Sequence, residues 1–366
     1  EKGYYYPKER LLRFKEKVKL SNKEFEIETD TLEYKTRKAI AFLLGPSTIT
    51  HKDNIVYTDR GWYQSKTQDA AFFNRPFFTT KEGRSLLADT LYYNRDTEIV
   101  NAYHGVILKD SINQLTVRGN KAFYNNKVEY AMFTDSALVI EHQQEDSLFL
   151  HADTLFYMKE LEHTVLKANK HVCFYRTDIQ GKCDSLYYSS KDSVLHLSKS
   201  PVLWLEESQL SGDRMYLSLK NETLETLHVM GNSMLVMQED TVKYNQLIGK
   251  ELEAYFIDFK IQKLEVKGNA QSIYYPKEND GSFIGLNRSE SSNINILFKD
   301  EKIEKVSMYP ATEGKLIPLH MLEKEDSFFS SFVWLDDIRP KEKKDVFIKR
   351  MTEEKIEAPK KKRKRR

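Results

Sequence analysis

The chain is poor in the residues that punctuate or cross-link a fold: 14 Gly, 9 Pro and 2 Cys in 366 residues. So little glycine and proline excludes collagen-like and low-complexity classes. Two cysteines, Cys173 and Cys183, are too few for a disulfide-rich scaffold or a cysteine zinc site. No apolar run approaches eighteen residues, and the longest near the start, Ala39 to Leu44, has six, so no helical membrane span is expected. Enzyme signatures are missing as well: there is no glycine-rich phosphate loop, His-Glu-x-x-His, Gly-x-Ser-x-Gly or Cys-x-x-Cys. No cofactor is expected.

Charge is scarce only in the net. Lys and Arg number 57 against 55 Asp and Glu, but the last seven residues, Lys360 to Arg366, are all basic. Without them the body carries 50 basic and 55 acidic groups, about −5, with a +7 tail. An acidic body lacks a broad phosphate-binding face, so no nucleic-acid partner is expected. The tail, within 351–366, reads as disordered: either a solubilising terminus or a polycation for anionic lipid. What is abundant is aromatic, with 20 Phe and 21 Tyr among 40% hydrophobic residues, enough for a core.

Internal repeats decide the fold class. Glu28–Tyr34, Leu87–Tyr93, His151–Tyr157, Lys182–Tyr188 and Ser211–Leu217 share the form small-Asp-polar-apolar-x-aromatic, with weaker copies at Tyr57–Tyr63, Phe133–Val139 and Gly249–Tyr255. Their acidic anchors are Asp30, Asp59, Asp89, Asp135, Asp153, Asp184, Asp213 and Glu251, spaced 29, 30, 46, 18, 31, 29 and 38 residues apart; the gap of 46 leaves room for a degenerate unit near Asn113. Between them falls Leu-x-Val-x-Gly-Asn, at Leu115–Asn120, Leu227–Asn232 and Leu264–Asn269. Each repeat is two short period-2 strands. Gly119, Gly231 and Gly268 stand where a strand must turn, and the Asp stands at a corner where it can cap backbone N–H groups.

The prediction is an all-β chain: an elongated, open β-jelly roll or solenoid-like stack of about nine two-strand repeats over residues 10–298. Alternation along the strands turns one set of apolar side chains inward: Leu91, Tyr93, Leu155, Tyr157, Leu186, Tyr188, Met215, Leu217, Val229, Leu235 and Val266. These are read as groove lining, against plain core packing. Residues 299–350 carry an aromatic cluster, Phe328, Phe329, Phe332, Val333, Trp334 and Leu335, expected to cap the last rung or to dock a partner. Cys173 and Cys183 flank a strand-turn-strand and are either a cross-strand disulfide or two buried thiols. His171 adds a third candidate zinc ligand, with no fourth in sequence, so no metal is expected.

Small-Asp-x-Leu-x-Tyr units alternating with Leu-x-Val-x-Gly-Asn over residues 10–298 resemble the OstA-like proteins, the periplasmic lipopolysaccharide-transport bridge family of Gram-negative bacteria. The resemblance implies a V-shaped jelly roll that shields lipid A acyl chains in its apolar interior. It also implies partners in the form of lipopolysaccharide and other jelly-roll components stacked by their edge strands, with self-association as a variant of that stacking. It implies a periplasmic, non-enzymatic protein exported by a leader that precedes this numbering. No outer-membrane barrel strands follow the repeats, which favours a bridge component over a translocon. Two alternatives stand beside it, a β-helical enzyme acting on polysaccharide and a structural surface solenoid.

Overall fold

A computed structural model describes residues 2–21, 25–143, 146–220, 223–257, 260–278, 280–299 and 302–349; the basic tail expected over 351–366 lies outside them. The chain is all-β, and the described residues divide into two compact units that part between Ala168 and Asn169, a division the repeats do not announce. The first unit holds β1 (Lys2–Tyr6), β2 (Leu11–Ser21), β3 (Phe25–Lys35), β4 (Ile40–His51), β5 (Asn54–Gln64), β6 (Ala70–Phe73) and β7 (Phe77–Thr80). It continues with β8 (Arg84–Leu87), β9 (Thr90–Asn94), β10 (Ile99–Asp110), β11 (Leu115–Asn125), β12 (Tyr130–Glu141) and β13 (Leu148–Glu160). The boundary falls inside β14 (His163–Tyr175). The second unit holds β15 (Ile179–Ser189), β16 (Val194–Ser198), β17 (Val202–Leu205), β18 (Ser208–Ser211), β19 (Arg214–Lys220) and β20 (Thr223–Gln238). It ends with β21 (Tyr244–Ile257), β22 (Lys260–Tyr274), β23 (Gly285–Lys299), β24 (Lys302–Tyr309) and β25 (Glu313–Pro318). Helical structure among the described residues is three short 3₁₀ turns, Leu319–Met321, Asp336–Ile338 and Lys343–Phe347, and none is long and apolar enough to cross a membrane.

Successive strands pair antiparallel, for example β3 with β4 and β20 with β21, in the manner of a jelly roll rather than a parallel solenoid. Each long strand changes register near its middle, as between Leu44 and Ser47 of β4 or Met230 and Ser233 of β20. At these points two consecutive residues adopt left-handed backbone: Glu16–Lys17, Asn74–Arg75, His104–Gly105, Asp135–Ser136, Lys170–His171, Lys199–Ser200, Gly231–Asn232 and Gly268–Asn269, with Gly45 alone on β4. A left-handed pair bends the strand and sends it on in a new direction.

The bend folds each unit onto itself. Phe25 on β3 aligns through His51 with Asn54 on β5, nine residues from Tyr63 and therefore about 30 Å away in a flat sheet. Yet the Phe25 and Tyr63 ring centroids lie 5.2 Å apart. Two walls therefore face one another across an interior. In the second unit, a Cβ added to Gly212 or Gly249 would stand 2.5 Å from a methyl of Val229 or Val266, contacts that only a sharp corner brings about.

The corners revise the reading of the repeats. Asp30, Asp89 and Asp213 each sit across from a left-handed residue: Gly45 packs on Asp30, and Asp213 N–H donates to Met230 O and Gly231 O at 3.1 and 2.9 Å while Asn232 Nδ2 donates to its carboxylate. Asp135, by contrast, is itself in a left-handed pair. The anchor between Asp89 and Asp153 is Asn120, whose Oδ1 accepts from Gly105 N. Spacings of 46 and 18 become 31 and 33, and the degenerate unit expected near Asn113 lies at Asn120. Gly119 has ordinary φ; a Cβ there would meet Thr134 O at 3.1 Å, so close approach rather than handedness accounts for it.

The ladder also outruns residue 298, since β24 and β25 both pair with β23. The aromatic segment beyond Pro318 packs Phe329 on Leu286 of β23 and Ile317 of β25. It runs back across the outer face of one wall of the second unit, because that face presents apolar side chains (Trp204, Ile273) to cover.

Gly231 has φ of +72°, and an added Cβ would lie 2.2 Å from Asp213 Oδ2. Gly231→Ala is expected to lower stability by about 1–3 kcal/mol, read as a lower urea midpoint at unchanged slope.

Candidate functional site

Inward-facing positions follow from the corner outward. In each small-Asp-polar-apolar segment the small residue turns in, the Asp and the polar residue turn out, and the apolar residue turns in. Ala152 and Leu155 are buried around exposed-side Asp153 and Thr154 in this way. Cross-strand register then threads these positions into files that run perpendicular to the strands.

In the first unit one file joins Leu32, Leu43, Gly61, Phe72, Leu91, Ala102, Ala122, Phe133 and Leu155, each the registered partner of the next. Leu91 and Leu155, both expected inside, are buried in it. Two residues nearer the wall's free end runs a second file, Tyr34, Ala41, Tyr63, Ala70, Tyr93, Val100, Tyr124, Ala131 and Tyr157, with rings alternating with small side chains. Tyr93 is half-buried and Tyr157 is 38% exposed, so these expected lining residues stand at the rim. Burial pushes the Tyr93 and Tyr124 hydroxyls above the ordinary tyrosine range. The facing wall contributes Ile49, Val56, Phe78, Leu86 and Leu108 in one register file, all half-buried. The first unit thus has a deep apolar line, a tyrosine rim and an opposite wall whose apolar side chains reach solvent.

The second unit gathers the other seven expected residues. Leu186, Leu197, Met215, Val229, Leu252, Val266 and Ile294 form one file, and Tyr188, Leu195, Leu217, Leu227, Ala254, Leu264 and Ile296 the next. Leu235 lies on the facing wall, beside Leu210 and Leu247. Met215, Val229 and Val266 are at 0% exposure, so a ligand reaches them only if the walls part.

Register supplies what the motifs miss. Leu197 and Ile294 carry no repeat signature of their own but are locked opposite residues that do. Tyr34 and Tyr63 end the same small-Asp motifs as Tyr93 and Tyr157, and their roughly 30-residue spacing is the signal that marks them as one file.

The disulfide that the cysteine spacing allows is not formed: Cys173 and Cys183 are both buried free thiols. The β14–β15 hairpin closes with reciprocal bonds between Arg176 and Ile179, and the Phe174 ring lies over Gly181. That register sets Cys173 opposite Lys182 and offsets Cys183 by one residue, so the two sulfurs point to opposite faces. Burial pushes both thiols up to about 12. Among the described residues no group of three or more His, Cys, Asp or Glu is placed to hold a metal ion, so His171 and the cysteines are not gathered into a site.

The fold and the inner files define an all-β, jelly-roll-like class of protein. Residues 1–84 match the model of the family described as OstA-like protein, the family that the repeats resemble. Among solved structures, the crystal structure of LptH, described as the LptA homologous periplasmic component of the lipopolysaccharide transport device from Pseudomonas aeruginosa, aligns with 14% identity and a TM-score of 0.30, over 39% of this chain and 99% of that one. No curated protein matches the chain.

The file positions separate core from rim energetically. Met215→Ala is expected to cost about 2–5 kcal/mol and Tyr157→Ala under about 1 kcal/mol, measured by urea unfolding of each variant against the parent.

Proposed function

We propose that the protein is a periplasmic lipid carrier that holds the acyl chains of lipopolysaccharide in the interior of its first unit and passes them along a bridge from inner to outer membrane. The observation that carries this reading is the half-buried apolar file Ile49, Val56, Phe78, Leu86 and Leu108, which faces the buried file through Leu91 and Leu155. Apolar side chains aligned over successive strands and left partly open to solvent are a binding surface for something apolar and elongated. The OstA-like match over residues 1–84 covers part of the same unit.

The energetics suit transport without catalysis. Burying a twelve-carbon chain gains on the order of 10 kcal/mol at ~0.8 kcal/mol per CH₂, enough to keep a lipid out of water. Contact with a uniform apolar file is non-directional, so a chain slides from rung to rung without breaking a specific polar bond. Tyrosine, with an apolar ring and a polar tip, suits the rim where an acyl chain gives way to a hydrated headgroup. This division of labour calls for no catalytic residue.

Bridge assembly would use the ladder ends. Among the described residues β1 pairs only with β2, and its side chains, including Tyr4, Tyr5 and Tyr6, are exposed. In the second unit, among the described residues, β24 and β25 pair only with β23. Open edges of this kind accept a further strand, from another jelly-roll component or a second copy.

A photo-crosslinking residue placed in turn at Leu108, Leu155 and Tyr157 in cells of a lipopolysaccharide-making bacterium is expected to yield lipopolysaccharide adducts. The same residue at Tyr92, which faces outward, is expected to yield none. Equal labelling at both faces, or no adduct at any inner position, overturns the proposal.

A further inference from the structure

The second unit differs from the first in having a third layer. In the first unit one outer file of the wall that carries Ile49 and Val56 is Glu26, Thr50, Ile55, Thr79, Ser85 and Lys109, polar but for Ile55. The equivalent file in the second unit is Gln180, Trp204, Gln209, Val236, Gln246 and Ile273. The segment from Glu323 to Ile348 lies along it.

Three glutamines hold this strap. Gln246 Nε2 donates to Ser327 O at 2.8 Å and its Oε1 accepts from Phe329 N at 3.1 Å. Gln209 repeats the arrangement six residues on, with Nε2 to Val333 O at 2.8 Å and Leu335 N to Oε1 at 2.7 Å. Gln180 Oε1 accepts from Arg339 Nε at 2.8 Å, and Lys182 Nζ donates to Ile348 O at 3.3 Å. Between these bonds Phe329 packs with Ile273, Tyr275 and Leu286, while Leu335 and Ile338 pack on Val202 and Trp204. The three glutamines are 1–2% exposed, so each reads the strap without competition from water.

The strap coincides with a change on the other side of the same wall. Where it is present, Leu203, Leu210 and Leu235 on the inner face are buried, Leu247 beside them is half-buried, and the file they meet, Met215 and Val229, is buried. In the first unit the outer face of the corresponding wall stays open, with Tyr57 and Phe77 stacked on it and exposed, and the equivalent inner residues, Ile49 and Val56 among them, are half-open.

We infer that the strap is a latch: by stiffening the outer face of this wall it holds the second unit's interior shut, and its release lets the walls part. What would then enter rests on the lipid reading of the first unit; the latch itself does not. The interface has a built-in weakness, because the buried Trp204 Nε1 has no acceptor among the described residues, a cost that favours release.

The two cysteines report the two faces independently. Cys173 lies opposite Lys182 on the strap side, where Asp345 bears on it, and Cys183 occupies the small-residue position that points into the interior. In the full chain, Cys183→Ala leaves the first reporter and Cys173→Ala the second, each reacted with a maleimide. With the strap in place both are expected to react slowly. Gln209→Leu combined with Gln246→Leu is expected to accelerate both thiols by about tenfold or more while the cooperative urea transition persists. Acceleration of Cys173 with Cys183 unchanged, or of neither, overturns the latch. If the double variant loses its transition, Arg339→Ala, which leaves all four glutamine-to-backbone bonds of Gln209 and Gln246 in place, is judged by the same outcomes with a smaller common acceleration. Vesicles containing lipid A, added to the released variant, are expected to slow Cys183 and leave Cys173 fast. Fast labelling of both throughout supports the latch and counts against the lipid reading.

Discussion

Everything in this chain rests on a corner. An antiparallel ladder of strands 11 to 16 residues long would be an open sheet with two faces in water unless each strand were folded back on itself. Two consecutive left-handed residues on one strand, met by an Asp or Asn on its neighbour, supply that fold at rung after rung. Left-handed backbone is costly for most side chains, and at Glu16–Lys17 or Lys170–His171 no glycine relieves it. The cost is met by the apolar area that closure buries, since the corner is what brings residues such as Phe25 and Tyr63 together across the interior.

The corner also explains which parts of the fold are legible in sequence. Where the left-handed pair is Gly-Asn, as at 231–232 and 268–269, composition marks it, and where the residue met across the corner is Asp followed by polar-apolar, as at Asp89 and Asp213, the motif marks it. At Asn120 and Asp135 the two roles are filled by residues that look interchangeable, an Asn after Gly119 and an Asp before Ser136, and only φ tells them apart. The inner residues are legible for the same reason: Leu91, Leu155, Leu186 and Met215 stand at a fixed step after the Asp. Leu197 and Ile294 are not, because pairing rather than local sequence aligns them.

Burial within the files was beyond reach of the repeats. Alternation says that Tyr157 and Val229 both face inward; it does not say that one stands at a rim and the other is sealed. That difference depends on what covers the far side of each wall. Along one outer file the first unit has Thr50, Ile55, Thr79 and Lys109 where the second sets Trp204, Val236 and Ile273 between its three glutamines, a difference that shows only once register aligns them.

A wall with one wet face and one apolar face bends at the expense of few contacts, whereas a wall packed on both faces must disrupt two interfaces to bend. By that argument an all-β chain of nearly uniform repeats acquires two different interiors through the strap that covers one outer face. The three buried glutamines are the most specific part of this arrangement. A leucine in their place would bury area against the strap as well, but it would leave the backbone groups of Ser327, Phe329, Val333 and Leu335 unpaired, and so would fix neither the strap's register nor its direction. Apolar packing supplies adhesion between strap and wall; the glutamine amides decide where along the wall it sits.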